Sequence, residues 1–411
     1  MADLEASSAV EVPPLATGSP LVKPHIRGVI FDLDGVLLDT ERLVREVTGE
    51  VVRTHFGKTF APDDFAHCLG RTPRDAVAEL IRVLELPCSI EEYLALSGPL
   101  LLERWCTASA IPGAARLVEH LARSGVPIAV GTSSDRRTVD AKVAPHAWFA
   151  ASFGSRVITS SDVRTGKPAP DIFLRACELL GDEIPPSACL VIEDAPAGCQ
   201  AAKAGQMYAV ALLSESVPAP LWEALPSSCR PDQQIQSFYD FDPSEWGLPP
   251  FTDTIHGTVP RLPPLRLVGE VVRGFGRGSK ELGIPTANLP ADAYAELLSS
   301  TTCGIYHGFA QLDDGGPIYP MVTSIGRNPY YGNTYKTVEP HILHTFPEDF
   351  YGKTMKLLVV GWIRPEANFS TLDALIKAIH NDIEVARAAL KDPFYASFVA
   401  DKVFSVPQSS L

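Results

Sequence analysis

The sequence lacks any apolar run of the roughly 18 residues that a membrane-crossing helix needs, so no bilayer-spanning helix is expected. Its eight cysteines are scattered, and none forms a C-x-x-C pair. That argues against a zinc ribbon or a disulfide scaffold and fits a reducing compartment. Basic residues are scarce relative to acids: 35 Lys and Arg against 49 Asp and Glu leave a formal charge of −14. A surface that acidic repels phosphate backbones and anionic lipid, so neither nucleic acid nor membrane is an expected partner. The opening stretch, MADLEASSAVEVPPLATGSPLVKPH, has no Arg, one Lys and no apolar segment. It reads as neither a secretory signal nor an Arg-rich transit peptide. The final Ser-Ser-Leu lacks the base of an S-K-L address. The cytoplasm is the expected location, and no protein partner is indicated.

What is present points to a soluble chain of two domains. Its 411 residues exceed what one core usually serves, and 45% hydrophobic with 20% charged residues is a globular balance. Ten of the 36 prolines fall between Ser214 and Leu265. Such a stretch disfavours long helices and central strands, which places a domain break near Trp246–Pro264. The expected division is a disordered tail over 1–26, a first domain over 27–247, a linker over 248–264, a second domain over 265–395 and a tail over 396–411. Before the break, short apolar strands (Gly28–Phe31, Ile128–Thr132, Leu190–Glu193, Tyr208–Leu212) alternate with amphipathic helices such as Ala114–Arg123. A last edge strand is expected within Asp232–Phe241. This alternation predicts an α/β, doubly wound parallel sheet with helices on both faces. Residues from about 41 to 111 are helical without a clear strand and predict a separate cap.

After the break, five strand-like runs follow without intervening helices: Leu265–Val272, Gly304–Gln311, Ile318–Ile325, Thr337–Thr345 and Met355–Ile363. They predict an antiparallel barrel. A closing helix is expected to begin at a capping box of Ser370 and Asp373, with Leu372, Leu375, Ile376, Ile379 and Ile383 on one face.

In RGVIFDLDGVLLDT, Asp32 and Asp34 stand just past a buried strand. Two residues apart on extended chain, they can face one pocket at the strand's carboxyl end. Carboxylates crowded there repel unless a cation or proton intervenes, and Mg²⁺ suits oxygen ligands that it shares with water and phosphate. Further strand ends or adjoining loops bring Thr132, Lys167, and Glu193 with Asp194 to the same crevice. Thr132 offers a hydroxyl to a phosphoryl oxygen, Lys167 a fixed positive charge, and the two acids further ligands.

The ordered set DLDGV, GTSS, GKPAPD and VIEDAPAG resembles the haloacid dehalogenase (HAD) superfamily of phosphatases over roughly Arg27 to Gly247. The resemblance implies Asp32 as nucleophile, forming an aspartyl-phosphate. It implies Asp34 as the acid that protonates the leaving oxygen and the base that then activates water. Asp32, Asp194 and the Asp34 carbonyl would hold Mg²⁺, Thr132 and Lys167 would stabilise the transferring phosphoryl group, and a helical C1-type cap would cover the substrate.

In the second domain, GEVVRGFGRGSKELGIPTANLP carries Gly274, Gly276, Gly278 and Gly283. Glycines let backbone N–H groups approach phosphates closely. The loop is neither a Walker A nor a dinucleotide fingerprint, and no protein-kinase motif follows it. Pro285-Thr286-Ala287-Asn288 offers neutral oxygens suited to Mg²⁺ already carrying a polyphosphate. Glu339 stands about fifty residues on in an apolar strand, where burial would fit it to accept a hydroxyl proton.

GFGRGSKELGIPTAN, SIGRNPYYGNT, KTVEPHILHTFPEDFYG and GWIRPEANFSTLDALI resemble riboflavin kinase over about Leu265 to Leu390. That implies a Greek-key barrel with a C-terminal helix, and phosphoryl transfer from ATP to the ribityl hydroxyl of riboflavin. By the same resemblance Glu339 is the base, Thr286 and Asn288 hold Mg²⁺ and nucleotide phosphates, and Gly274 and Lys280 lie in the nucleotide loop. Ile342, His344 and Tyr351 would line the nucleotide site, with Arg364 and Phe369 in a flap over the flavin. Arg327, His307 and Phe309 depart from the family pattern. The fusion, with its DFDPSEWGLPPF linker, resembles the bifunctional riboflavin kinase/FMN phosphatases of plants and algae. FMN as the phosphatase substrate follows from the pairing; a sugar-phosphate or nucleotide phosphatase, or a non-catalytic scaffold, is the alternative.

Overall fold

The computed structural model describes residues 25–61, 64, 73–214, 217–273, 284–290, 292–299, 301–313, 315–326 and 336–405. Residues 1–24, the glycine loop with Gly274 and Lys280, Arg327, and residues 406–411 lie outside the described residues. Among the described residues, no helix is long and apolar enough to cross a membrane.

The first half contains strands Gly28–Phe31 (β1), Leu38–Asp39 (β2), Ser109–Ala110 (β3), Ile128–Gly131 (β4), Val157–Ile158 (β5), Cys189–Glu193 (β6), Tyr208–Leu212 (β7) and Gln233–Ile235 (β8). Six of them form a parallel sheet in the order β5-β4-β1-β6-β7-β8. Period-two alternation divides their side chains between two cores. Val29, Phe31, Ile128 and Val130 meet helix Ala114–Arg123 through Leu117, Val118 and Leu121. Ile30, Ala129 and Val191 meet Ile172, Phe173, Ala201 and Ala202 of the helices on the opposite face. Both faces are covered, which is why these strands read as continuous apolar runs. The chain leaves β1 toward β4 and later crosses to β6, so β1 is the topological switch point where a crevice opens.

Helices Glu41–Phe56, Pro73–Val83 and Ile90–Arg104 form the cap, with their own core of Val47, Val51, Val52, Leu80, Leu86 and Tyr93. No strand was expected here, yet β2 and β3 pair antiparallel (Leu38 with Ala110, Asp39 with Ser109) and bind the outgoing and returning limbs together. Two residues carry no readable periodicity. Ile26, expected in a disordered tail, is buried, and its amide donates to the Trp246 carbonyl at 3.1 Å.

The second half contains Val259–Glu270 (β9), Gly304–Leu312 (β10), Ile318–Gly326 (β11), Thr337–Ile342 (β12) and Thr354–Arg364 (β13), antiparallel in the order β12-β11-β10-β13-β9. Strand β13 returns beside β10, and this is Greek-key topology. The barrel closes through the segment 284–290: Val272 bridges Asn288, and the Ala287 amide donates to the Pro340 carbonyl at 2.9 Å. Tyr306, Met321, Ile325, Val338, Leu357 and Val359 fill the interior.

Strand β9 starts at Val259, inside the stretch expected as linker and six residues before the expected strand. Its prolines survive because register shifts between Leu265↔Val359 and Pro260↔Gly361, leaving 261–264 out of the ladder on an end strand. The expected linker is also tethered. Arg116 bonds both oxygens of Asp253 at 2.6 Å and lies 3.7 Å from the Phe251 ring centroid.

Helix Leu372–Ala389 is capped by Thr371, whose hydroxyl accepts from the Ala374 amide at 3.2 Å, rather than by Ser370. Leu372 is exposed, and the apolar face deepens toward Ala386 and Ala389. The segment expected as a tail from 396 packs instead. Val403 and Phe404 join Tyr395, Phe309, Leu358 and Val360 on the outer face of the sheet, and Asp401 takes two bonds from Arg266. Leu357 and Val359 face the barrel while Leu358 and Val360 face this layer, so β13 is apolar on both sides.

Candidate active sites

The carboxyl ends of β1, β4 and β6 lie side by side, so Asp32, Thr132 and Glu193 converge without any unusual local conformation. Lys167 comes from the loop before helix Asp171–Glu178. Its Nζ bonds Asp32 Oδ1 and Glu193 Oε1, the latter at 2.6 Å, and stands 4.6 Å from the Phe173 ring centroid. The other Glu193 oxygen accepts from the Ala195 amide at 2.7 Å.

Burial pushes the Asp32 carboxyl up to about 7, against the lowering by Lys167, with the charges of Glu193 and Asp34 adding to the rise. Burial, then Glu193 and Asp32, likewise raise Asp194 well above the ordinary carboxylate value. Burial opposes the Lys167 ammonium, yet Asp32 and Glu193 together hold its pKa above the usual lysine value.

Asp34 is bound differently. Its Oδ1 accepts from Lys142 Nζ at 2.6 Å, and its Oδ2 accepts from Ser134 Oγ at 2.7 Å and, more weakly, from Thr132 Oγ1 at 3.3 Å. Burial opposes its ionisation, but Lys142, Ser134 and Thr40 hold the carboxyl below its ordinary value. The sequence did not mark Lys142, Ser134 or Thr40. Ser134 sits within the quoted motif GTSS, and Thr40 ends the quoted string RGVIFDLDGVLLDT.

The donor set fits a divalent cation. Asp32, Glu193 and Asp194 each place a carboxylate oxygen within 4.8 Å of the others. With Asp34, four carboxylates face two ammonium groups, a formal excess of two negative charges. Hard oxygen donors with that excess suit Mg²⁺. Gly35, at φ 78°, keeps the pocket open: a Cβ there would fall 2.0 Å from Asp194 Oδ2.

The second site lies on the barrel seam. In β12, Val338, Pro340 and Ile342 face the interior, while Thr337, Glu339 and His341 are half-buried on the other side. The segment carrying Thr286 and Asn288 is laid against this strand by the Ala287–Pro340 bond and by the His341 ring, whose Nδ1 lies 2.8 Å from the Pro285 carbonyl. Thr286 and Asn288 therefore flank the point where the chain meets the neighbour of Glu339.

Ile342 is a core residue. His344 stacks on Tyr319 at 4.5 Å, and Tyr351 is half-exposed with the Arg273 guanidinium 5.1 Å from its ring centroid. Arg364 is bound to both oxygens of the buried Asp382, at 2.9 and 2.7 Å, and stands 5.7 Å from the Phe369 ring centroid. The expected flavin contact is thus anchored to the C-terminal helix. Glu366, unmarked by the sequence, rises above the ordinary carboxylate value through burial and the nearby charge of Glu339. It packs so closely on β11 that a Cβ at Gly326 would fall 2.0 Å from its Oε1.

Residues 26–206 match the family model of haloacid dehalogenase-like hydrolases, and residues 262–390 that of riboflavin kinase. A bifunctional riboflavin kinase/FMN phosphatase from Arabidopsis thaliana is 41% identical over 376 residues, 91% of this chain and 95% of its own. A riboflavin kinase from Homo sapiens is 50% identical over 143 residues, 35% of this chain and 92% of its own. Among solved structures, a HAD family hydrolase from Deinococcus radiodurans R1 aligns over 55% of this chain and 99% of its own, at 26% identity and a TM-score of 0.47.

Proposed function

The chain belongs to the bifunctional riboflavin kinase/FMN phosphatase family, and from that premise we propose that its two sites run opposed reactions. The barrel transfers a phosphoryl group from ATP to the ribityl hydroxyl of riboflavin, and the parallel-sheet domain returns FMN to riboflavin and phosphate. The observation that carries the hydrolytic half is the Lys167 ammonium bridging Asp32 and Glu193 at adjacent strand ends.

In the first site Asp32 attacks phosphorus, and its new bond to phosphorus replaces the ester bond. Asp34, held mainly ionised by Lys142 and the nearby hydroxyls, acts from its minority protonated form: it gives that proton to the departing oxygen, then takes one from the water that cleaves the aspartyl-phosphate. Lys167 and the Thr132 hydroxyl face the equatorial oxygens, where fixed donors act most strongly in a dry pocket. Asp32, Asp194, the Asp34 carbonyl and Glu193 would hold Mg²⁺, which supplies positive charge for the phosphoryl oxygens when bound. Glu193 also keeps Lys167 and the Ala195 amide in place.

In the second site Glu339 accepts the hydroxyl proton, while Thr286 and Asn288 would hold Mg²⁺ and the nucleotide phosphates. Ile342 would support this site from the core, and His344 and Tyr351 would border the nucleotide. Arg364, fixed by Asp382, would hold the flap that carries Phe369 over the flavin. Gly274 and Lys280 complete the reading as parts of the nucleotide loop.

The test uses the purified full chain with two substitutions. Asp32→Asn is expected to abolish phosphate release from FMN and leave ATP-dependent FMN synthesis within about twofold, since an amide forms no acyl-phosphate. Glu339→Gln is expected to slow synthesis about 10²–10⁴-fold, the range for losing a positioned base, and spare hydrolysis. Loss of both activities from either change would refute the division of labour. Fast release from sugar phosphates beside slow release from FMN would move the first site to another substrate.

A further inference from the structure

Among the described residues, the four HAD-like motifs account for the charged groups of the first pocket other than Lys142. This lysine belongs to helix Arg136–Val143 and has almost no exposed side chain (4%). Its Nζ reaches Asp34 Oδ1 at 2.6 Å and Ser134 Oγ at 2.8 Å, and it stands 4.4 Å from the Trp105 ring centroid. Burying an ammonium is costly unless charge and hydrogen bonds compensate, and here a carboxylate, a hydroxyl and an aromatic face all do so. Trp105 begins the short turn Trp105–Thr107 that leads from the cap into β3. The segments just past that helix and that turn also meet, where the His146 ring Nε2 lies 2.8 Å from the Ala108 carbonyl. One amine therefore touches both the Asp34 carboxyl and the cap's returning limb.

We propose that Lys142 is a positioning residue that fixes the orientation of the Asp34 carboxyl and links it to the root of the cap. The carboxyl is clamped at both oxygens, with Lys142 holding one and Ser134 and Thr132 the other. Without the ammonium, the carboxyl loses its charged partner on Oδ1 and is oriented by hydroxyls alone. Proton transfer to a leaving oxygen demands a carboxyl held within about hydrogen-bond reach, so a carboxyl held less firmly loses rate in that step first. This inference rests on the reading of Asp34 as the proton carrier.

Leaving groups separate a positioning role from a merely structural one. An alkoxide such as the ribityl oxygen of FMN needs a proton as the phosphorus–oxygen bond breaks, and p-nitrophenolate departs without one. Lys142→Met keeps the apolar stem over Trp105 and removes the charge. In the full chain with Mg²⁺ and no ATP, it is expected to slow FMN hydrolysis about 30-fold or more. The pre-steady-state burst of nitrophenolate from p-nitrophenyl phosphate should change less than about threefold. Lys142→Arg, which restores charge and a donor, should recover at least half of the logarithmic loss on FMN.

An equal loss on both esters, including loss of the burst itself, would overturn the proposal. So would unchanged FMN hydrolysis. Asp34→Asn is the control. If it distinguishes the esters and Lys142→Met does not, the role of Lys142 fails alone. If Asp34→Asn does not distinguish them, the reading of Asp34 fails first.

Discussion

Removing the divalent ion from the first site is expected to make its rebinding strongly pH-dependent. Four carboxylates there face two lysines, and burial leaves Asp32 with a pKa of about 7 in the metal-free protein, against 3.8 ordinarily. An incoming Mg²⁺ must find that carboxyl ionised, so below pH 7 each ion displaces about one proton. Asp194, also raised, adds to that release. The apparent association constant should climb at least about tenfold per pH unit between pH 5.5 and 7.

The sign for stability follows from the same shift. A carboxyl whose folded value is raised binds its proton more tightly in the fold. The resulting stabilisation is complete below 3.8 and is lost as pH rises through about 7. Its ceiling, from a difference of about three pH units, is about 4 kcal/mol. Chelated protein should therefore lose stability across this window, and magnesium-saturated protein should not. Calorimetric titration with Mg²⁺ in two buffers of different ionisation enthalpy reads the proton release, and thermal unfolding reads the stability. Thr286 and Asn288 offer uncharged oxygens, so without ATP the titration reports the first site. A magnesium affinity that is flat from pH 5.5 to 7.5, with no proton release, would refute the reasoning.

Three further outcomes are expected. Gly35→Ala should abolish magnesium binding at the first site and cut phosphate release by about 10²-fold or more while sparing the kinase, because its Cβ would overlap Asp194; calorimetry and phosphate assay read both. Asp382→Asn should destabilise the barrel by about 2–3 kcal/mol, below the usual range for a broken buried pair because the Arg364 side chain is partly exposed (24%). It should also raise the KM for riboflavin as the flap loosens, measured by urea unfolding and steady-state kinetics. Truncation after Ala396 should uncover Phe309, Leu358 and Val360 and lower the thermal midpoint of the barrel by roughly 10 °C or more, since burial of Phe404 and Val403 alone contributes about 3–5 kcal/mol.

Strand ends were the most legible part of this chain. An apolar run followed by Asp-x-Asp, Thr or Glu-Asp announces both a buried strand and what it carries to the crevice, and the parallel sheet sets those ends side by side. Lys142 was illegible for the opposite reason. Its helix, RRTVDAKV, is half charged and reads as a solvated face until tertiary packing turns one lysine toward Asp34, 108 residues away. In the barrel, Pro-Thr-Ala-Asn and Glu339 were visible as separate strings, but the bond that joins them runs from Ala287 to Pro340, two residues without side-chain chemistry. Strand β9 hid behind its prolines, which lie where the ladder slips. Thr371 and Ser370 are equally able caps; Thr371 is the one whose extended backbone (φ −140°, ψ 153°) turns its hydroxyl onto the helix.

The stave that closes the barrel also carries Thr286 and Asn288. A ligand that grips those side chains must tighten the seam, and a tighter seam must hold that ligand longer, because the two equilibria share one free energy. The Ala287 amide, which crosses the seam to Pro340, is the natural reporter. Its exchange with solvent deuterium should slow when Mg-ATP arrives, before any flavin is added. Loosening the joint at Val272 should speed that exchange, and should weaken nucleotide affinity as the open seam becomes well populated.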